Sequence, residues 1–369
     1  MIISNIKKKV REYSYYKSCF LPRYNDGARD LQKALNNVND PISEEQKEMI
    51  MDFWEPIICK GGKLSRKAFD IRWFDVYNTT NVDNHKLQYY IPDSYYYCIV
   101  DANLSNSKEA SIIDDKNLYD LYFYDVKQPQ TIGRITNGRF LNNAYELITE
   151  ERLLSLCKEY GRIIIKPSVN SCAGSGIVYW DSSQSSIDEL KNIFKSYRFA
   201  IIQDLVEQHK VLADFNDSSV NTLRIVTLIL DGEVHTVSSV VIMGAKGSKT
   251  NHLHRGGLVC GVLDSGYLRS TAFDGQLNRY DVHPNGIKFS DVKIPNYDKC
   301  LELVKKMAPR FYKTTKLISW DITIDKVAEP VLIETNLTWG GLCQIANGPI
   351  FGNLTPKVLD YVIDNLINK

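Results

Sequence analysis

"LISWDITIDKVAEPVLIETNLTWGGL", from Leu317 to Leu342, decides the fold. Two apolar, β-branched runs flank "DKVAEP", whose charges and proline mark a turn. The stretch reads as two strands joined by that turn. In a strand, side chains at i and i+2 share a face. Glu334 and Asn336 therefore project together, and Thr335 faces the other way. Asp321 lies on the preceding strand. If the two strands pair as a hairpin, Asp321, Glu334 and Asn336 meet at one end. Two carboxylates and an amide oxygen make a cage for Mg²⁺. An uncompensated buried Asp–Glu pair is costly, and a cation resolves it. The competing reading leaves both acids solvated or paired with Lys and Arg.

Upstream, "RIIIKPSVNSCAGSGIVYWD" reads as a buried strand, a Gly/Ser loop and a second strand. Lys166, at the strand end, can set its ammonium on a phosphate as a point charge. Gly174, Ser175 and Gly176 let the backbone approach closely and offer N–H groups to an anion. No G-K-[ST] follows, so this is not a Walker A loop. The plainer reading is a hairpin with a solvated lysine. "TLRIVTLILDGEVHTVSSVVIM" is a hairpin turning at Asp231-Gly232. Arg224 sits among its apolar residues, where an unpaired guanidinium is expensive. A phosphate or acyl phosphate held bidentately suits it, and so does a structural salt bridge. "NHLHRGG" adds His252, His254 and Arg255, a basic loop able to meet an anionic substrate or a γ-phosphate. The loop lacks the further Cys and His that a zinc site needs.

The 369 residues, 44% of them hydrophobic and 24% charged, are enough for a substantial core and two or three units. A net charge of +1 gives no broad field for nucleic acid or an acidic membrane. Eight cysteines are scattered through apolar runs with no C-x-x-C, which points to free buried thiols in a reducing cytoplasm. No eighteen-residue apolar run predicts a membrane span, and the N-terminus has no secretory h-region.

Residues 1–105 read as a mainly helical support or substrate-facing module. Ser43 caps "EEQKEMIMDFWEPI", while "LQYYIPDSYYYCIVDANL" reads as more strand-like, with a Pro-Asp turn. Residues 106–205 contain a helix entry at "IIDDKNLYDLYFYD", the Gly/Ser loop, a capped helix "SSIDELKNIFKSY" and a strand "FAIIQDLV". Residues 206–369 alternate strands with glycine turns and end in a helix over "PKVLDYVIDNLI". The class is α+β, rich in antiparallel strands, and not a Rossmann array.

A Lys–Pro strand, a Gly-rich loop, a polar hinge and then Asp…Glu-x-Asn together resemble the ATP-grasp superfamily. The thirteen-residue step from Asp321 to Glu334 fits that pattern. Over about residues 40 to 360 the chain is similar to the sugar-transfer-associated ATP-grasp proteins of bacterial capsule and O-antigen gene clusters. The stretches "IPDSYYYCIVDANLS", "DDKNLYDLY", "SVNTLRIVTL", "HRGG" and "NGPIFGNLTP" carry that narrower match. The resemblance implies two α+β subdomains clamping ATP.

It implies roles for individual residues as well. Lys166 would contact the α- and β-phosphates, and the Ser171–Gly176 loop would close over them. Lys116 falls in the region of an earlier ATP-binding lysine. "IIQDLVEQH" would be the hinge, with the Asp204, Leu205 and Val206 backbone facing adenine and Glu207 or His209 reaching the ribose. Gln203 stands where many relatives carry Glu. Asp321, Glu334 and Asn336 would hold Mg²⁺. Arg224, Arg255 and Lys166 would serve the reaction.

That reaction would join a carboxylate to an amine through an acyl phosphate, releasing ADP. The context implied is surface polysaccharide biosynthesis, with an amino acid or small amine joined to a uronic acid carboxylate. A kinase on the same fold and a non-catalytic carbohydrate-binding protein are the competing readings. A homodimer is expected only because relatives of this fold often form one.

Overall fold

The computed structural model describes residues 16–80, 86–105, 110–169, 174–251, 253, 256–338 and 341–368. Ser171, His252, His254 and Arg255 lie outside the described residues. Two sheets organise the chain. The first has the order β3-β2-β1-β6-β4-β5. Its strands are β1 (Thr131–Thr136), β2 (Arg139–Asn142), β3 (Leu147–Ile148), β4 (Arg162–Pro167), β5 (Val178–Asp181) and β6 (Phe199–Asp204). The second has the order β11-β10-β9-β8-β7-β12-β13. It comprises β7 (Thr222–Leu230), β8 (Glu233–Met243), β9 (Leu258–Val262), β10 (Leu268–Phe273), β11 (Arg279–Tyr280), β12 (Leu317–Ile324) and β13 (Pro330–Asn336). Every pairing is antiparallel, as the sequence led us to expect.

The smaller sheet is amphipathic across its thickness. Ile163 and Ile165 of β4 and Ile202 of β6 pack with Leu153, Cys157, Leu190 and Phe194. Those partners come from helices Glu150–Tyr160 and Ile187–Lys195, whose N-termini are capped by Thr149 and Ser186. The alternate residues Ile164 and Lys166 are left for the opposite face.

In the larger sheet β12 has all eight residues buried. It lies between β7 and β13 and has an apolar core on either side. Its hairpin turn is organised by Asp325, whose Oδ1 accepts from the Val327 and Glu329 amides at 3.1 and 2.8 Å. The β7–β8 turn places Asp231 at φ 50° and Gly232 at φ 83°, the left-handed pair that a two-residue hairpin requires.

The N-terminal helices share one core with the larger sheet and with the last helix, Thr355–Asn368. Trp54, Phe74, Tyr77 and Tyr95 belong to the same apolar cluster as Val226, Leu228, Val358 and Val362. Ser43 caps helix Glu44–Lys60 in a full capping box with Gln46.

The strand-like expectation for "LQYYIPDSYYYCIVDANL" is overturned. The segment forms a short 3₁₀ turn at Leu87–Tyr89, then helical structure from Asp93 to Leu104 with a π-helical stretch at Tyr96–Val100. Its tyrosines and isoleucines carry β propensity, but that propensity mostly reflects packing on a half-buried pleated surface. Here Tyr95, Tyr96 and Ile99 are fully buried among helices. Among the described residues, no helix is long and apolar enough to cross a membrane. Cys98, Cys157, Cys260, Cys300 and Cys343 are buried and outside any disulfide, and Cys59, at the surface, is outside any disulfide too.

Candidate active site

The register of the larger sheet assembles the predicted acids. On β12 and β13, Asp321 stands opposite Glu334 and Ser319 opposite Asn336. Across β12's other edge, Asp321 stands opposite Arg224 of β7. Arg224, Asp321 and Glu334 therefore form a row across three strands. Arg224 Nε and Nη2 donate to Asp321 Oδ1 and Oδ2 at 2.9 and 2.8 Å. Asn336 Nδ2 donates to Asp321 Oδ2 at 3.2 Å. Burial works against the Arg224 charge, but the Asp321 carboxylate more than offsets it and raises the guanidinium pKa.

Thr335 faces away from this row, as the two-residue period requires. It is buried, with its hydroxyl 2.9 Å from Tyr119 Oη and its amide donating to that oxygen at 2.9 Å. The second of these bonds anchors the segment carrying Lys116. The segment's other tether is the Lys116 amide, which donates to Ser168 O at 2.9 Å, just past β4. Held at both points, Lys116 places its ammonium 3.5 Å from Glu334 Oε2. It is 6% exposed, while the Glu334 side chain keeps 29% of its surface open to the cavity side.

Lys166, at the end of β4, is 8% exposed. Burial pulls its ammonium down to about 8, and the charge of Lys116 pulls the same way. Glu334 and Asp204 resist that shift. Two buried lysines thus share the field of Glu334, and each ammonium is a donor suited to a phosphate oxygen. Asp114, which the sequence reading passed over, belongs to the same field. Burial raises its carboxyl to about 6, Lys116 lowers it and Glu334 raises it.

These groups surround a cavity of about 980 Å³. Lys166, Gly174, Asp204, Leu205, Val206, Glu207, Arg224, Asp321, Glu334 and Asn336 all line it. Asp204, Leu205 and Val206 and the acids thus share one space, although they are far apart in the chain.

Other predicted residues lie elsewhere. Gln203 is buried in β6 and its Nε2 donates to Pro129 O at 3.4 Å. His209 caps helix Lys210–Ala213, its Nδ1 accepting from the Val211 amide at 3.2 Å. Neither lines the cavity, nor do Lys116, Ser175 and Gly176. Glu207 lies at the exposed rim and pairs with Lys326 at 2.6 Å. Gly176 has φ 73°, and a Cβ there would come within 2.8 Å of Pro167 Cγ, so the turn needs glycine on both counts.

The structure adds wall residues the sequence reading passed over. Lys249, Thr250 and Asn251 cross from the larger sheet toward the Gly/Ser loop, and Tyr179 Oη donates to Lys249 O at 3.2 Å. The only trace in sequence is the composition of "KGSKT" after β8. Trp73, Asp93 and Tyr97 line another part of the cavity from the N-terminal helices. Among the described residues no three His, Cys, Asp or Glu side chains gather as metal ligands. A cation here would rest on Asp321, Glu334 and the Asn336 carboxamide. Their hard oxygen chemistry fits Mg²⁺.

Comparison with solved structures aligns the chain with D-alanyl-alanine synthetase A from Vibrio cholerae at a TM-score of 0.41 and 14% identity, covering 72% of this chain and 67% of that one. D-alanine–D-alanine ligase from Bacillus anthracis aligns at 0.39 and 17% identity, covering 72% and 70%. L-amino acid ligase from Bacillus licheniformis aligns at 0.39 and 13% identity, covering 70% of this chain and 49% of its own, so the chain spans about half its length. No curated protein matches the sequence. The sequence model of sugar-transfer associated ATP-grasp proteins matches residues 101–358, most of the chain and every strand of both sheets, and this α+β protein therefore belongs to the sugar-transfer associated ATP-grasp family.

Proposed function

We propose that the protein is an ATP-dependent carboxylate–amine ligase. The observation that carries this reading is the pair of buried lysines, Lys166 and Lys116, set against Glu334 where Asp321 and Asn336 share the same wall. Lysine ammonium groups can donate to phosphate oxygens, and the hard carboxylate and amide oxygens beside them can take the metal that a nucleotide triphosphate carries.

In this reading Lys166 and Lys116 hold the phosphates, and the Asp204–Val206 backbone faces the adenine. Asp321, Glu334 and Asn336 would hold Mg²⁺, which supplies charge neutralisation at the phosphates when bound. The substrate carboxylate attacks the γ-phosphorus, giving an acyl phosphate and ADP. The amine nitrogen then attacks the acyl carbon, phosphate leaves, and the nitrogen loses a proton. Arg224 spends two N–H groups on Asp321. The guanidinium keeps three others for the oxyanion that forms at the acyl carbon. Catalysis by positioning and electrostatics needs no protein nucleophile.

We further propose that the acceptor is a sugar carboxylate, such as a uronic acid on a nucleotide sugar or glycan precursor, in surface polysaccharide biosynthesis. The family's association with sugar transfer supports this. Residues 1–105 would then form the substrate-facing module, and 106–205 and 206–369 the two nucleotide-binding parts.

The test is calorimetric titration of AMP-PNP with Mg²⁺ into the wild type and Glu334→Ala. Binding by the wild type that is lost in the variant supports the nucleotide site, and no binding by either sinks it. ADP release should then require both a carboxylate and an amine. ADP release with a single acceptor would show a kinase instead.

A further inference from the structure

Asp93 is the acid that the nucleotide reading leaves without a task. It opens the helical segment Asp93–Leu104 and lines the same cavity as Lys166 and Glu334. Its oxygens reach no cation among the described residues. Arg224, which also lines the cavity, is already engaged by Asp321. Lys33, which also lines the cavity, lies 3.5 Å from Asp30.

The Tyr77 hydroxyl lies 3.2 Å from Asp93 Oδ1. That hydroxyl has one proton, and Ile91 O competes for it at 2.9 Å. When the proton goes to the carbonyl, the Asp93 side chain has no donor among the described residues. Burial pushes the Asp93 carboxyl up to about 7, partly relieved by Tyr77. A half-buried carboxylate in that condition is a socket for a cationic group.

The surroundings limit the cation's size and character. Gly341 packs directly on Asp93, and a Cβ there would fall 2.4 Å from Oδ2. Gly341 follows Asn336 by only five residues, so the chain that carries the β13 ligands also forms this wall. Trp73, Val76, Tyr97 and Ile345 add apolar surface to the cavity. A bare metal ion would find Asp93, the more exposed Asp30 that pairs with Lys33, and apolar neighbours. An organic ammonium finds both a counter-charge and a surface for its carbon skeleton.

We propose that Asp93 and its surround form the seat of the amine substrate, a small primary ammonium compound with an apolar side group, such as an amino acid. The role of that amine as the attacking nucleophile rests on the ligase reading, while its binding at Asp93 does not. Tyr77 and Gly341 are positioning residues that hold the carboxylate in place.

The test is calorimetry on the full chain with the proteinogenic amino acids and ethanolamine, each beside its N-acetyl form, with and without AMP-PNP and Mg²⁺. At least one amine should bind the wild type, and its N-acetyl form should bind at least tenfold more weakly. Asp93→Asn, isosteric with the native residue, should weaken that amine at least tenfold. Gly341→Ala should do the same by displacing the carboxylate. AMP-PNP affinity in Asp93→Asn should stay within twofold, which also reports that the variant is folded. An amine bound equally by wild type and Asp93→Asn overturns the proposal, and so does a wild type that binds no amine in the panel. Failure of AMP-PNP to bind the wild type overturns the ligase reading alone.

Discussion

Arg224 holds Asp321 from the neighbouring strand through two parallel hydrogen bonds of 2.9 and 2.8 Å. The residues are direct register partners on β7 and β12, so sheet geometry itself sets the fork against the carboxylate. Arg224→Met leaves that carboxylate buried with the Asn336 amide alone. The expected loss is about 3 kcal/mol, the low end for breaking a buried pair. Arg224→Lys keeps the charge but not the fork and should lose less stability. Urea denaturation of the three proteins checks the order, and equal stability of all three would contradict it.

Lys166 should make the nucleotide-free protein less stable at neutral pH. Its pKa falls from 10.5 to about 8 on folding, so between those values the unfolded chain binds more protons. Stability must therefore rise as pH goes from about 8 to 10.5. The gap corresponds to about 3 kcal/mol. Lys166→Met should be more stable than wild type at pH 7 by up to that amount and should lack the alkaline rise. A parallel pair of stability-against-pH curves would refute this.

The same titration governs ligand binding. In the proposed nucleotide site the ammonium form of Lys166 would be the one that meets phosphate. AMP-PNP affinity for the wild type should weaken as pH passes upward through about 8. Titrations at pH 7 and 9 would show it, and Lys166→Met should bind weakly at both.

Chelation of Mg²⁺ with EDTA should weaken AMP-PNP binding at least tenfold in the wild type. Glu334→Gln should bind weakly with or without the metal, because one charged ligand and the counter-charge of Lys116 go together. A full EDTA effect persisting in Glu334→Gln would remove Glu334 from the metal site.

Gly176→Ala tests the loop. A left-handed φ of 73° and the close approach to Pro167 together should cost about 1–2 kcal/mol. Urea denaturation reads the cost, and wild-type stability would show that the turn tolerates a side chain.

The β12–β13 hairpin was legible because its signals are local. Strand period, turn residues and the Glu-x-Asn spacing together predict which side chains share a face, and the observed register agrees. The capped helices at Ser43 and Ser186 were legible for the same reason. The segment from Leu87 to Leu104 was misread, because tyrosines and isoleucines buried on every side leave no period to follow. Gln203 and His209 were placed in the hinge by resemblance alone. Their side chains instead serve Pro129 and a helix cap.

By itself the sequence determined the α+β antiparallel class, the row of acids at the end of one hairpin and the lysine beside a Gly/Ser loop. Each follows from spacings of a few residues, where backbone geometry leaves little choice. Only the tertiary structure decided what those acids face. Lys116 reaches Glu334 because Tyr119 and Thr335, 216 residues apart, share a hydrogen bond. Asp93 enters the cavity because the N-terminal helices pack on the far sheet. Contacts over such separations depend on the shape of whole cores, and no local spacing encodes them.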